Sequence, residues 1–225
     1  VYRGHEQGDL LVPATFAVIA GTVLFYGPAA ALAARWLGLA KSSPQGVLFV
    51  GAQPWARALA QEVEEHGFRV LLVDANRGNV SAARMEGLPA VCGSILSDEL
   101  KDELDLDGIG KLLALTPNDE VNSLAAIQFV EVFGRANVYQ LVPKGESETR
   151  RSSVPLHLRG RLLFGRDATF DFFLQRSLSG AEPRSTNLTE KFGFESFKDV
   201  HGPDALPLFL VTEAKELVVL TTEGP

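Results

Sequence analysis

A handful of residues in the first half of the chain have the types and spacing to hold a nucleotide. The turn Gly51-Ala52-Gln53-Pro54-Trp55-Ala56 follows a short apolar run. A dinucleotide turn needs a first glycine for the tight bend and a second for close approach to pyrophosphate. It also needs a small third residue for helix–strand packing. Gly51 meets the first need and Ala56 the third, but Gln53 stands where the second glycine belongs and would crowd a pyrophosphate. Asp74, about 20 residues on, is where a carboxylate accepts hydrogen bonds from ribose hydroxyls. Two outcomes stay open: a weakened or altered adenine-nucleotide site, or a cleft that binds nothing. Alone, Asp74 would be a solvated strand-end carboxylate; beside Gly51 the ligand role is preferred.

Other chemistry is hard to assemble. His5, His66, His157 and His201 are scattered and Cys92 has no partner at metal-ligand spacing, so no zinc site is expected. Cys92 reads as a small hydrophobe on a buried strand. Asp98, Glu99, Asp102, Glu103, Asp105 and Asp107 read as a solvated helix face, because calcium-loop spacing and its central glycine are missing. Neither a nucleophile elbow nor a phosphate loop ending in Gly-Lys-Ser/Thr occurs. A dehydrogenase is disfavoured by Gln53 and by the lack of an acid/base pair with a substrate domain. The expectation is a non-enzyme.

The elements that position these residues alternate between strand and helix. Gly46–Val50 reads as a strand buried on both faces. Ala56, Leu59, Ala60 and Val63 make one helical face, which Gly67 ends as a C′ residue. Phe68–Asp74 is a second strand, Arg77–Gly87 a short helix and Pro89–Gly93 a third strand. Ser97–Asp105 is a helix capped by Ser97, and Lys111–Thr116 a fourth strand. Thr116, Pro117 and Asp119 fit N-cap, N1 and N3 of the next helix, which runs up to Gly134. Val138–Val142 closes the unit as a fifth strand. Five strands alternating with four helices imply an α/β fold: a Rossmann-like, doubly wound parallel sheet with right-handed crossovers. Ligands in such sheets bind beyond the carboxyl ends of the strands, where strand order reverses.

Before this unit, Leu10–Ala34 has no ionisable group other than Tyr26. A helix needs about 20 apolar residues to cross a hydrocarbon core, so one transmembrane helix is expected over about 10–36. Arg35 and Lys41 follow it, which by the positive-inside tendency puts residues after about 40 in the cytoplasm. Gly21 and Gly27, with Ala14, Ala17 and Ala20, offer small faces to other helices. The chain starts at Val1 and its sole methionine is Met85, so it reads as a piece of a longer protein whose further membrane helices lie upstream. After the sheet, Gly145–Arg161 reads as a basic solvated linker with Arg150, Arg151, Arg159 and Arg161. Thr169–Leu178 is an amphipathic helix with Phe170, Phe173 and Leu174 on one side. Leu206–Val211 and Glu216–Leu220 suggest a hairpin. The expected organisation is a membrane helix and linker at 1–43, the sheet domain at 44–144 and a small α+β domain at 145–225.

Composition sets the outer limits. The 225 residues carry 21 basic and 28 acidic side chains, a net charge of −7, which argues against a nucleic-acid partner. One cysteine excludes a disulfide framework. Hydrophobic content of 46% against 22% charged is that of a folded protein.

The stretch VLFVGAQPWARALAQEVEEHGFRVLLVDANRGNV resembles the TrkA N-terminal domain, the regulatory nucleotide-binding module that controls potassium conductance. VCGSILSDE and LTPNDEVN are similar to that family's turns after strands three and four. GTVLFYGPAAALAARWLGLA is similar to the last membrane helix of bacterial sodium/proton antiporters of the cation:proton class. GRLLFGRDATFDFFL looks like their cytoplasmic tails. The resemblance implies regulation of cation transport at the inner (plasma) membrane, with the module binding NAD(H) or another adenine nucleotide and pairing into a homodimer. By position, Gly51 and its neighbours Ala52 and Gln53 would underlie the phosphates and Asp74 would hold the ribose. Gly93 and Ser94 would lie near the adenine, and Thr116 would edge the cleft. Ser94 departs from the aspartate that the family often has.

Overall fold

The computed structural model describes residues 8–36, 44–144, 159–165, 167–189, 192–202 and 205–222. The chain divides into two compact units, Val1–Ser43 and Pro44–Pro225.

The first unit is one helix, α1 (Gly8–Trp36). The described side chains that run without interruption, Pro13–Gly27, are exposed, among them Phe16, Ile19, Leu24 and Phe25. The expected helix forms, but the expected membrane span does not follow from it. Among the described residues no helix is long and apolar enough to cross a membrane.

The second unit is built on a six-stranded sheet. Its elements are β1 (Gly46–Val50), α2 (Pro54–Glu65), β2 (Val70–Asp74), α3 (Arg77–Met85), β3 (Ala90–Cys92) and α4 (Asp98–Glu103). There follow β4 (Ile109–Ala114), α5 (Asp119–Phe133), a 3-10 turn (Arg135–Asn137), β5 (Val138–Gln140) and β6 (Arg161–Leu162). The strand order is β3-β2-β1-β4-β5-β6, with every pairing parallel. Order reverses between β1 and β4, so the ligand crevice of such a sheet opens above those two strands. β1 reads GVLFV because both of its faces are covered, as parallel sheets require. Val47, Phe49 and Leu72 face α2 and α3, while Leu48, Val50, Val73 and Leu112 face α4 and α5.

The described residues after 158 build no core of their own. β6 extends the sheet, and it is followed by α6 (Phe170–Leu178), α7 (Phe194–His201) and the hairpin β7 (Phe209–Val211) with β8 (Leu217–Val219). Leu163, Phe164, Phe173, Leu217 and Val219 join the same cluster as Val47 and Trp55. Trp55 stacks on Phe173 with ring centroids 4.8 Å apart, and Phe170 meets it edge-on. The expected aromatic face of α6 thus packs against α2 rather than founding a separate domain. The expected hairpin forms, and Lys215 turns it at φ +58°.

Three expectations are corrected. The helix after β4 starts two residues later than expected: Asn118 is its N-cap and accepts from the Val121 amide at 3.0 Å. Thr116 is drawn off by Asn122, as described below. Arg159 and Arg161 are not solvated linker residues. Arg159 is buried, and the Arg161 guanidinium lies 5.5 Å from the Tyr139 ring centroid. Their neighbour Gly160 donates its amide to the wholly buried Gln140, whose position on β5 draws the returning chain onto the sheet. Arg150 and Arg151 lie outside the described residues. Finally, Cys92 is exposed, because β3 is the edge strand and its last residue projects past the cover.

Candidate functional site

The first strand–helix turn is shaped by Gly51, whose φ of +114° suits glycine. Its amide donates to the Val73 carbonyl at 2.7 Å, which binds the turn to the end of β2. A Cβ here would lie 2.8 Å from Gln53 Oε1 and 3.3 Å from the Leu115 carbonyl carbon. The Gln53 amide therefore lies over Gly51. Gln53 is the N-cap residue of α2 but makes no capping bond, and its Oε1 is buried without a partner.

Ala52 is held at both ends. Its amide donates to Asp74 Oδ2 at 2.8 Å, and its carbonyl accepts from Arg57 Nη1 at 2.9 Å. Arg57 in turn pairs with Glu86 at 2.8 Å, just past the end of α3. Asp74 gathers two further donors: the Asn76 amide on Oδ1 and Asn79 Nδ2 on Oδ2, at 2.8 and 2.9 Å. Each carboxylate oxygen has two acceptor positions. Three of four are thus occupied by this chain's own groups, and one on Oδ1 has no donor from the chain.

The other expected residues fall at different distances from this centre. Gly93 donates its amide to the Asp74 carbonyl at 3.0 Å, which ties the turn after β3 to the end of β2. A Cβ on Gly93 would meet Leu100 at 3.0 Å, so the glycine also makes room for α4. Ser94 is exposed, and its hydroxyl accepts from the Leu96 amide within its own turn. Thr116 stands across the reversal point, after β4. Asn122, 1% exposed, clasps it: Thr116 Oγ1 donates to Asn122 Oδ1 at 2.7 Å, and Asn122 Nδ2 donates to the Thr116 carbonyl at 2.9 Å. Ala52, Asp74 and Gly93 form one hydrogen-bonded group, with Gly51 bound to Val73 beside it, Gln53 over Gly51, and Thr116 after β4.

Sequence reasoning did not single out Arg57, Asn76, Asn79 or Asn122. Asp74-x-Asn76-x-x-Asn79 held a usable signal, since asparagine at an N-cap accepts from the next turn's amides. Asn76 does so from Gly78 and Asn79. Arg57 and Asn122 act across space or from inside a helix, and neither spacing announces its partner. Among the described residues, no group of three His, Cys, Asp or Glu could hold a metal ion.

Solved structures similar to this chain include the NAD(P)-binding domain of an exopolyphosphatase-related protein from Archaeoglobus fulgidus. The two are 18% identical with a TM-score of 0.43, over 60% of this chain and 96% of that one. The TrkA-N domain of the inner membrane protein ybaL from Escherichia coli is 16% identical, with a TM-score of 0.38 over 43% and 72% of the two chains. The GsuK channel bound to NAD is 17% identical, with a TM-score of 0.38, and the match covers 64% of this chain but 28% of the channel's. No curated protein matches the sequence. The family model of the TrkA-N domain matches residues 47–148, the stretch from the second residue of β1 through β5 that holds every candidate site residue.

Proposed function

We propose that this chain is the regulatory, nucleotide-sensing portion of a membrane cation/proton antiporter, controlling sodium or potassium exchange for protons without catalysing a reaction itself. In this reading α1 is the last membrane helix of the transporter. Residues after about 40 lie in the cytoplasm, and two copies pair as a homodimer. The sensor takes NAD(H) or another adenine nucleotide in the crevice above β1 and β4. The apolar run of α1 and the TrkA-N match support the transporter setting.

One observation carries the sensing part of this reading. Asp74, at the carboxyl end of β2 in a TrkA-N match, keeps one open acceptor position beside the Gly51 turn. A carboxylate so placed suits a ribose hydroxyl. Calorimetric titration of the full chain with NAD, NADH, ATP, ADP and AMP tests it. At least one should bind and raise the melting temperature by mass action. Ion-driven proton exchange in vesicles carrying the transporter should then change when that nucleotide is added.

A second reading has its own support. The Gln53 amide lies over Gly51, and a side chain in place of the second glycine would crowd a pyrophosphate bound at this turn, which favours a cleft without ligand and a sheet used only for dimerisation. No heat and no melting shift with all five nucleotides would decide for it.

A further inference from the structure

Arg57, in the first turn of α2, grips the backbone of the turn after β1 from behind. We propose that Arg57 is a positioning residue: anchored by Glu86, it holds the Ala52 carbonyl and so keeps the Gln53 backbone N–H directed at a nucleotide phosphate. The inference rests on the nucleotide reading above and adds a residue pair that separates phosphate-bearing ligands from nucleosides.

The guanidinium is fixed from two sides. Nε donates to both carboxylate oxygens of Glu86, at 2.9 and 2.8 Å, and Nη1 donates to the Ala52 carbonyl at 2.9 Å. Bonds from two nitrogens of one rigid plane leave that plane little freedom to turn. The Arg57 side chain is 12% exposed, against 39% for Glu86, so the arginine is the sheltered member of the pair. Glu86 is the C-cap residue of α3. The clamp therefore ties the turn after β1 to the end of a different helix.

The consequence follows from the planarity of the peptide. The Ala52 carbonyl and the Gln53 N–H belong to one trans peptide and point in opposite directions. With the carbonyl drawn to Arg57, the Gln53 N–H faces away from the guanidinium. Among the described residues nothing accepts that N–H, whereas the Ala52 N–H is already taken by Asp74. A free backbone N–H at a strand–helix turn is a donor for phosphate oxygens. Without Arg57 the peptide is free to rotate and lose that direction.

Simple charge attraction gives the opposite sign. If Arg57 served only as a cation near the phosphates, Glu86 would weaken it, and removing that carboxylate would tighten phosphate binding. Positioning requires the carboxylate, because it holds the guanidinium against the Ala52 carbonyl.

Calorimetric titration of the full chain with adenosine and the five nucleotides named above tests this, with ADP against adenosine as the deciding pair. Arg57→Lys keeps the charge but loses the planar fork, so ADP affinity should fall about fivefold while adenosine stays within about twofold. Glu86→Ala should lower ADP affinity by a similar factor. Glu86→Gln, whose amide oxygen still accepts from Nε, should restore most of it. Unchanged ADP affinity in Arg57→Lys, unchanged or raised affinity in Glu86→Ala, or equal losses for ADP and adenosine overturn the positioning role while leaving nucleotide sensing intact. If Arg57→Lys fails to fold, the two variants of the more exposed Glu86 decide. A parent that binds ADP no more tightly than adenosine overturns this proposal alone, and one that binds none of the five nucleotides overturns both.

Discussion

Asp74 Oδ2 and the Ala52 amide, 22 residues apart in sequence, meet at 2.8 Å. The bond makes the ribose candidate a structural part of the turn it faces, because Ala52 is fully buried and its amide would otherwise be orphaned. Asp74→Ala should therefore cost about 3 kcal/mol, since hydrogen bonds to charged groups contribute about 1.5–3 kcal/mol and a buried donor is stranded. Urea denaturation without ligand checks this. A residue serving only a ligand would leave that curve where it was.

Gln53 invites the opposite change. Gln53→Gly removes an amide from above Gly51, deletes a buried unpaired oxygen and keeps a residue type tolerated at an N-cap. Stability should stay within about 1 kcal/mol, while ADP and NAD gain about tenfold in affinity and adenosine gains nothing. Unchanged ADP affinity would place the phosphates elsewhere.

The sheet was legible in the sequence because its signals are local. Runs such as GVLFV and VLLVD, short, β-branched and bounded by turn residues, read as strands covered on both faces, and Gly67 and Ser97 mark helix ends by their own chemistry. What stayed hidden depends on groups far apart in the chain. Thr116 has the form of an N-cap until Asn122, from the next helix, takes its hydroxyl and carbonyl. Arg159 and Arg161 read as a solvated run until Gln140 and Tyr139 bring that segment onto the sheet. Cys92 sits in an apolar run, yet exposure depends on strand order, which no local pattern encodes. At the site, Gly51 and Asp74 were legible as a motif, whereas the grip of Arg57 on Ala52 was not.

Trp55 joins α2 to α6 through Phe173 and Phe170, but its indole Nε1 is buried without a partner. Trp55→Phe should remain within about 1 kcal/mol of the parent, since lost area is offset by removal of an unsatisfied donor. Trp55→Ala should lose about 3–5 kcal/mol by opening a cavity. Comparable losses for both variants would show that the indole nitrogen is not an unmet cost.

Membrane attachment is a separate question from nucleotide binding and has its own readout. If α1 inserts, the full chain should float with liposomes on a density gradient, and Leu24→Arg should reduce recovery in the floated fraction, because arginine at a helix centre costs about 2.5–3.5 kcal/mol on insertion scales. A chain that stays at the bottom of the gradient would remove the membrane part of the proposed function.

Lys111 gives a pH prediction with a definite sign. It is 6% exposed on β4, and its Nζ donates to Gln45 Oε1 at 2.8 Å, the same oxygen that accepts the Leu217 amide at 3.0 Å. Burial pushes the ammonium below its ordinary value of 10.5, and the charge of Glu216 offsets only part of this. The unfolded chain then holds a proton that the folded chain has begun to release, so stability should rise with pH from the lowered folded value toward 10.5. Denaturation curves between about pH 7 and 9, below the range where tyrosines ionise, should show the onset of this slope. Lys111→Met should lose it, with neutral-pH stability within about 1 kcal/mol of the parent, because Leu217 still satisfies the Gln45 oxygen and no charge need be buried. An identical alkaline slope in parent and variant would mean that the lysine titrates alike in folded and unfolded chains, contrary to its burial.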